Sequence, residues 1–433
     1  MTMDRRTLLR NLGVAGTIGA TAGCVGVQEQ STETQSGGNS GSSGSDGSDG
    51  SDDESTATST GPAGEAEVWY TLAKAERPGR ESVIETFNSE SRHTITGSNI
   101  SDMVKKTTSA IPVGEGPESF EWAHDKVGGY YQQGFLTDMS DQVDVDLGQF
   151  TSAAAEAVQY KGNVVGLPRS AETVGLVYNT DIVDEAPETV SEMVSVMEEF
   201  HDPDNGKYGM GYPVNAYFVS AWLQAFGGHY LDISADEPLG VNSDETVQGL
   251  QFLLDNFKPY MPKDPSYGPQ AAAFADGNAA FAINGPWYLA TLNEKGVNYE
   301  VAPLPSVEGG SPTPYTGIKV WYFAKKMRED DAATVAAKDF AEWFVTNEDH
   351  LLTLAQEQGH IPVLSSLVGS DELPDTVAAF SQAVEQGTPM PSDPKMAAVW
   401  PAIETAILES FNGNTDPQAA LDTAAEEIRS NWE

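Results

Sequence analysis

Basic residues are the first shortage in this chain. Its 433 residues carry 23 Lys and Arg against 65 Asp and Glu, a formal net charge of −42. That balance excludes nucleic acid as a partner, because phosphate neutralisation needs clustered Lys and Arg. It also argues against an acidic substrate. Self-repulsion of this size works against a compact state in ordinary salt. At molar salt the Debye length falls to about 3 Å and the repulsion is screened. Residues 25–64 hold acids and no Lys or Arg, yet only a small part of the excess. The remainder is acidic as well, and the composition predicts a protein adapted to high salt.

Cysteine is scarcer still. Cys24 stands alone, so no disulfide within the chain can form. Familiar site signatures are missing too. Neither Gly-x-x-x-x-Gly-Lys-Ser/Thr nor Gly-x-Gly-x-x-Gly occurs, which leaves nucleotide binding without support. His-Glu-x-x-His and Gly-x-Ser-x-Gly are absent. The six histidines, at 93, 124, 201, 229, 350 and 360, lack metal-ligand spacing. His201-Asp-Pro-Asp-Asn-Gly206 has the look of a calcium loop, but Pro213 stands where the late bidentate Glu belongs, so a tight turn is expected. No cofactor and no metal are expected.

What is present begins at the N-terminus. Arg5-Arg6 precedes a short Gly/Ala-rich run, too short and too weakly apolar to span a membrane. The twin arginine resembles a Tat export signal, and Thr21-Ala-Gly-Cys24 resembles a lipobox with Cys24 as the lipid-bearing residue. Residues 1–24 are thus expected to be a signal, and 25–64, rich in Gly, Ser, Thr and Asp, a disordered acidic tether. Asn99-Ile100-Ser101 is a glycosylation sequon.

From Glu65 onward strand and helix text alternate, which predicts an α/β architecture. Strands are expected at 65–72, 163–170, 173–180, 277–287, 297–305 and 319–325. Helices are expected at 80–90, 188–202, 244–258, 331–347, 397–413 and 416–432. Trp and Tyr recur among polar residues and turn formers: Trp122, Tyr217, Trp287 and Trp400 are examples. Rings of this kind stack on the flat C–H faces of sugars while Asp, Glu, Asn and Lys bond the hydroxyl rim. Core or domain-interface packing is the competing explanation for each ring. A carboxylate pair doing glycosidase chemistry on α-glucans is the enzyme alternative, although 65 acids generate pairs by chance. An adhesion or sensory module on a stalk is a third.

Three blocks are specific. Trp122–Leu136 reads WAHDKVGGYYQQGFL, 271–292 reads AAAFADGNAAFAINGPWYLATL, and 389–407 reads PMPSDPKMAAVWPAIETAI. Together and in this order they resemble the maltose/maltodextrin-binding proteins, sugar receptors of ABC importers, over roughly residues 65–433. The resemblance implies the two-lobe periplasmic-binding-protein fold, with a hinge and a ligand cleft between lobes. It places lobe 1 at 65–170 plus 320–370 and lobe 2 at 171–319 plus 371–433. It implies a non-enzymatic receptor outside the cell that hands sugar to permease subunits; a monomer is expected, and the lipobox predicts that lipidated Cys24 holds it to the cytoplasmic membrane.

Carried over by position, Trp122, Tyr217, Trp287 and Trp400 would stack on sugar. Asp125, Lys126, Glu172 and Lys74 would bond the rim, with Tyr267 and Met390 as further contacts. His124, Gly128 and Gly129 read as structural, and Tyr130, Tyr131 and Phe135 as the packing face of the following helix. Three rim positions depart from the family: Ala73 and Asn215 stand where it has acids, and Glu404 where it has Arg. Pro401 directly follows the last stacking Trp. The sugar is therefore left open among maltose, maltodextrin, trehalose and related oligosaccharides.

Overall fold

Short runs of β-branched and aromatic residues between turn formers become the strands of two main sheets. The computed structural model describes residues 62–433. The signal, Cys24 and the tether through Gly61 lie outside the described residues. Gly64, the last residue that composition assigns to the tether, is anchored. Its N–H donates to His93 Nδ1 at 3.0 Å, and its carbonyl accepts from the Thr94 N–H at 3.0 Å. The described residues, 62–433, belong to one compact unit.

The strands are β1 (Glu65–Tyr70), β2 (Thr94–Asn99), β3 (Ser119–Ala123), β4 (Gln159–Tyr160), β5 (Asn163–Val164), β6 (Gly166–Glu172), β7 (Gly175–Asn179), β8 (Tyr208–Gly211), β9 (Ala279–Asn284), β10 (Tyr299–Ala302), β11 (Tyr315–Phe323) and β12 (Thr388–Pro389). The first sheet runs β12-β11-β3-β1-β2, with β6 also on β11; the second runs β10-β7-β9-β8; β4 and β5 pair alone. The chain leaves the first sheet between β6 and β7 and returns between β10 and β11. Strands β6 and β9 are buried along their whole length, as expected of sheets covered by helices on both faces.

One apolar cluster, including Val68, Phe120, Trp321 and Phe340, surrounds the first sheet. Another, including Met193, Trp222, Phe281 and Leu421, surrounds the second. Trp122 and Trp287 pack half-buried against both.

Helices cover these sheets, and their ends carry the expected chemistry. Thr189 and Glu192 form a capping box at the start of Val190–Phe200. Asp416 caps Pro417–Trp432, with Pro417 at the first helical position. The turn at 203–206 is a 3-10 turn closed by Gly206 at φ 74°, as its text predicts. No helix among the described residues is long and apolar enough to cross a membrane.

Strand β6 contains a proline, which cannot donate to a ladder. Its register against β11 shifts at that point: Ser170 faces Lys319 and Pro168 faces Val320. Arg169 is thus left unopposed in a bulge, a device that re-aims a side chain.

Candidate functional site

The carboxyl ends of strands are where open α/β sheets hold ligands, and the turns after β3, β6, β8 and β9 converge here. A cavity of about 440 Å³ collects residues from both sheets. Trp122 comes from β3, and Asp125 and Lys126 from the 3-10 turn His124–Lys126 behind it. Glu172 ends β6. Asn215, Ala216 and Tyr217 follow β8, and Trp287 follows β9. Met390 and Trp400 come from the last part of the chain. A second cavity of about 400 Å³ adjoins it and shares Trp122, Glu172, Trp287 and Lys319. Tyr267 lines the second cavity only. Lys74 is exposed and lines neither.

Glycine makes room at two points. The Trp287 indole lies over Gly285, where a Cβ would sit 2.1 Å from the ring. Any other residue in Asn284-Gly-Pro-Trp287 would push the ring away. At Gly317 a Cβ would meet Glu172 Cγ and Met390 Cε, each at 2.7 Å. That glycine lets a carboxylate and a thioether share one wall.

Charges in the first cavity come mostly as pairs. Lys126 Nζ lies 2.9 Å from Asp125 Oδ2, and Lys319 Nζ 2.9 Å from Glu172 Oε2. Each ammonium also sits near a ring: Lys126 is 5.9 Å from the Trp400 centroid and Lys319 is 5.3 Å from that of Trp122. The Trp400 Nε1–H donates to Asp125 Oδ2 at 3.0 Å. The Tyr217 hydroxyl is buried and has no partner among the described residues. Burial pushes its pKa well up, aided by Glu172 and Asp125. It therefore stays a neutral donor.

His124 ties this edge to the crossing strands. Its Nδ1 accepts from the Ile318 N–H at 3.1 Å, so the proton rests on Nε2, which donates to the Met390 carbonyl at 3.1 Å. Burial lowers its pKa against the pull of Asp125 and Glu172. Tyr130 and Phe135 are buried in the core behind. Tyr131 is half-buried, its hydroxyl accepting from Asn163 Nδ2 at 2.8 Å.

The second cavity has a different floor, and the sequence reading did not anticipate it. Glu121 receives Arg80 Nη1 at 2.7 Å and Arg169 Nη2 at 3.1 Å. Burial alone would raise the Glu121 pKa, but Arg169 and Arg80 outweigh it and hold it at about 2. Arg169 Nη1 donates to His360 Nδ1 at 2.8 Å, and His360 Nε2 meets Glu76 Oε1 at 3.4 Å. Burial, then the positive field of Arg169, keeps His360 neutral well below its usual range, and burial raises Glu76. Arg80 is wholly buried, stacked within about 5 Å of Tyr70, Trp321 and Phe344. A lone lysine in the apolar text of β11 and a Pro-Arg-Ser-Ala-Glu run in a buried strand were the available signals for Lys319 and Arg169.

Among the described residues no group of three His, Cys, Asp or Glu could hold a metal ion. What the two cavities offer is flat aromatic wall and fixed hydrogen-bond partners, the equipment for holding a neutral polar ring compound.

Residues 82–420 match the bacterial extracellular solute-binding protein family. The chain is 37% identical over 381 residues to the maltotriose-binding protein of Pyrococcus abyssi, covering 86% of this chain and 83% of that one. It is 24% identical over 395 residues to the galactooligosaccharide-binding protein of Bacillus subtilis, covering 86% and 90%. A maltooligosaccharide ABC transporter solute-binding lipoprotein of Streptococcus pneumoniae is 23% identical over 336 residues, covering 73% and 76%.

Proposed function

This chain belongs to the family of bacterial extracellular solute-binding proteins, and on that premise we propose that it captures an oligosaccharide for an ABC importer. The observation that carries this reading is the junction of the two cavities. Trp122 and Trp287 stand there, half-buried against both apolar clusters, and the Glu172–Lys319 pair lines both cavities with them. Trp122, Tyr217, Trp287 and Trp400 supply faces. Asp125, Lys126 and Glu172 supply the rim, Met390 closes one wall, and Tyr267 reaches in from the second cavity. Lys74 is left out of this set because it lies off both linings.

The lobes divide at the crossings between β6 and β7 and between β10 and β11, and closure about them would present a changed surface to permease subunits. The finer reading is a monomer exported by the twin-arginine route, anchored through a lipid on Cys24 and working in high salt. Arg5-Arg6, Cys24 and the net charge of −42 support it. Labelling with a lipid precursor, comparing wild type with Cys24→Ala, tests the anchor. A thermal melt that does not fall as salt is lowered from molar KCl would remove the salt argument.

Tryptophan fluorescence titrations in molar KCl with maltose, maltotriose, trehalose and a galactooligosaccharide test the main reading. A saturable response to one of them is expected. Silence to all four would sink it, and turnover of an α-glucan would favour a glycosidase instead.

A further inference from the structure

Three carboxylates line the aromatic cavity, and they are not alike. Asp125 and Glu172 each have a lysine at 2.9 Å. Glu404 has no such cation among the described residues. It stands on the helix Met396–Phe411, four residues after Trp400 and so on the same helical face. It is half-buried, and its Oε2 accepts from the Ala216 N–H at 3.1 Å. Asn215, half-buried one residue before Ala216, lines the same wall. Its Oδ1 accepts from the N–H groups of Tyr217 at 3.0 Å and Phe218 at 2.9 Å. Two backbone donors on one side fix the amide orientation: the oxygen faces them and the NH₂ faces away.

Each side chain is therefore pinned through one atom and leaves another without a protein partner among the described residues. Glu404 leaves Oε1, which accepts. Asn215 leaves Nδ2, which donates. The buried, unpartnered Tyr217 hydroxyl belongs to the next residue but one in the chain.

We propose that Glu404 and Asn215 are the specificity-determining pair of this cavity, reading two adjacent hydroxyls on one pyranose ring of a neutral sugar. One hydroxyl donates to Glu404 Oε1, and its neighbour accepts from Asn215 Nδ2. The proposal rests on the sugar-receptor reading. A single hydroxyl could satisfy one of the two atoms, whereas a vicinal pair offers a donor to one and an acceptor to the other. A uronate or sulfated sugar would set its anion against a carboxylate that has no counter-ion. A half-buried carboxylate left without a donor loses hydration for nothing, so a sugar lacking the hydroxyl is rejected.

The test uses the whole chain. Dissociation constants are measured for maltose, maltotriose, trehalose and a galactooligosaccharide, and then for the monodeoxy analogues of whichever binds best. Glu404→Gln keeps size and the Ala216 contact but turns the acceptor into a donor. Asn215→Asp keeps the backbone contacts but removes the donor. Each is expected to weaken the parent sugar by about tenfold to a hundredfold, the range of a hydrogen bond involving a charged group. One deoxy analogue should bind wild type and Glu404→Gln equally, and a neighbouring one should do so for Asn215→Asp.

Should either substitution prevent folding, the wild-type deoxy series stands by itself, with two adjacent positions expected to dominate the losses. Unchanged affinity in both variants overturns the proposal. So does an equal loss across every analogue, which would mean a general packing effect. Tighter wild-type binding of an aminodeoxy analogue, lost in Glu404→Gln, would replace the diol with cation recognition. No binding of any sugar by wild type would instead overturn the receptor reading itself.

Discussion

The two halves of the cleft use the same residue types to opposite ends. In the aromatic cavity Lys126 and Lys319 remain partly exposed, and Glu404, Asn215 and Tyr217 each keep an unpartnered polar atom. In the adjoining cavity Arg80, Arg169, Glu121, Glu76 and His360 are buried and linked to one another, although Arg80 Nε and Nη2 and Arg169 Nε have no partner among the described residues. Charge that is half-wet and pointed at space can recognise a ligand. Charge that is dry and mutually paired fixes the positions of the elements carrying it, and removing one member strands the rest.

The largest effect should come from breaking the dry network. Glu121→Ala leaves two buried guanidinium groups without their shared carboxylate. Unfolding in urea at fixed molar salt is expected to show a loss of about 3–5 kcal/mol. The matching change in the aromatic half, Asp125→Asn, should cost less than about 1.5 kcal/mol in the same assay and register in sugar affinity instead. Equal destabilisation by the two would break the comparison.

Acid should act on both halves through histidines. Burial lowers the pKa of His124 and His360, and of His350 to about 4, all from an ordinary 6.5. A folded-state value below the unfolded one means that stability is complete above that ordinary value. It is lost as pH falls toward the folded one, because the unfolded chain takes the proton first. Glu76, raised by burial, has the opposite sign and acts above the ordinary carboxylate value. His350 should cost about 2 kcal/mol on going from pH about 7 to about 5, and His124 and His360 should add losses of the same sign. Melts at constant salt that do not change over that interval would contradict the buried, neutral assignment.

The tryptophans of the cavity wall come next. Trp287→Ala and Trp400→Ala are each expected to weaken sugar binding by about 1–3 kcal/mol. Trp287 should lose more, because it lines both cavities and Trp400 only one. Unchanged affinity in both would make the rings packing, and a larger loss at Trp400 would confine the ligand to the aromatic half.

This division also follows what could be read from sequence. The aromatic half rests on local text: Trp-Ala-His-Asp at 122–125, Asn-Gly-Pro-Trp at 284–287 and the Trp400 helix each set their own turn, so one short segment announces each element. The dry half is assembled from residues as far apart as Glu76 and His360, 284 positions, and no local period relates them. Arg169 joins it only because Pro168 breaks the ladder, a bulge that exists only once β11 lies alongside. The alternation of strands and helices was legible for the same reason as the turns. The helices Met103–Ala110 and Glu348–Gln358 were not, since their text is largely polar and offers no broad apolar stripe.

The smallest expected effect is the most exacting for the comparison. Lys74 is the one ligand-contact candidate that lines neither cavity. It begins a 3-10 turn, Lys74–Glu76, whose Glu76 Oε2 accepts from the Ala73 N–H at 2.9 Å. Three residues per turn put Ala73 and Glu76 on one side and Lys74 on another, so Ala73 and Glu76 line the cavity while the lysine meets solvent. Lys74→Ala should therefore change the sugar dissociation constant by less than about twofold, within what an exposed charge contributes. Ala73→Trp, filling the same corner from the inner side, should weaken a trisaccharide more than a disaccharide. A tenfold loss in Lys74→Ala, beyond about 1.4 kcal/mol, would mean that the turn swings its lysine onto captured sugar. The dry half would then be a recognition surface as well as a scaffold.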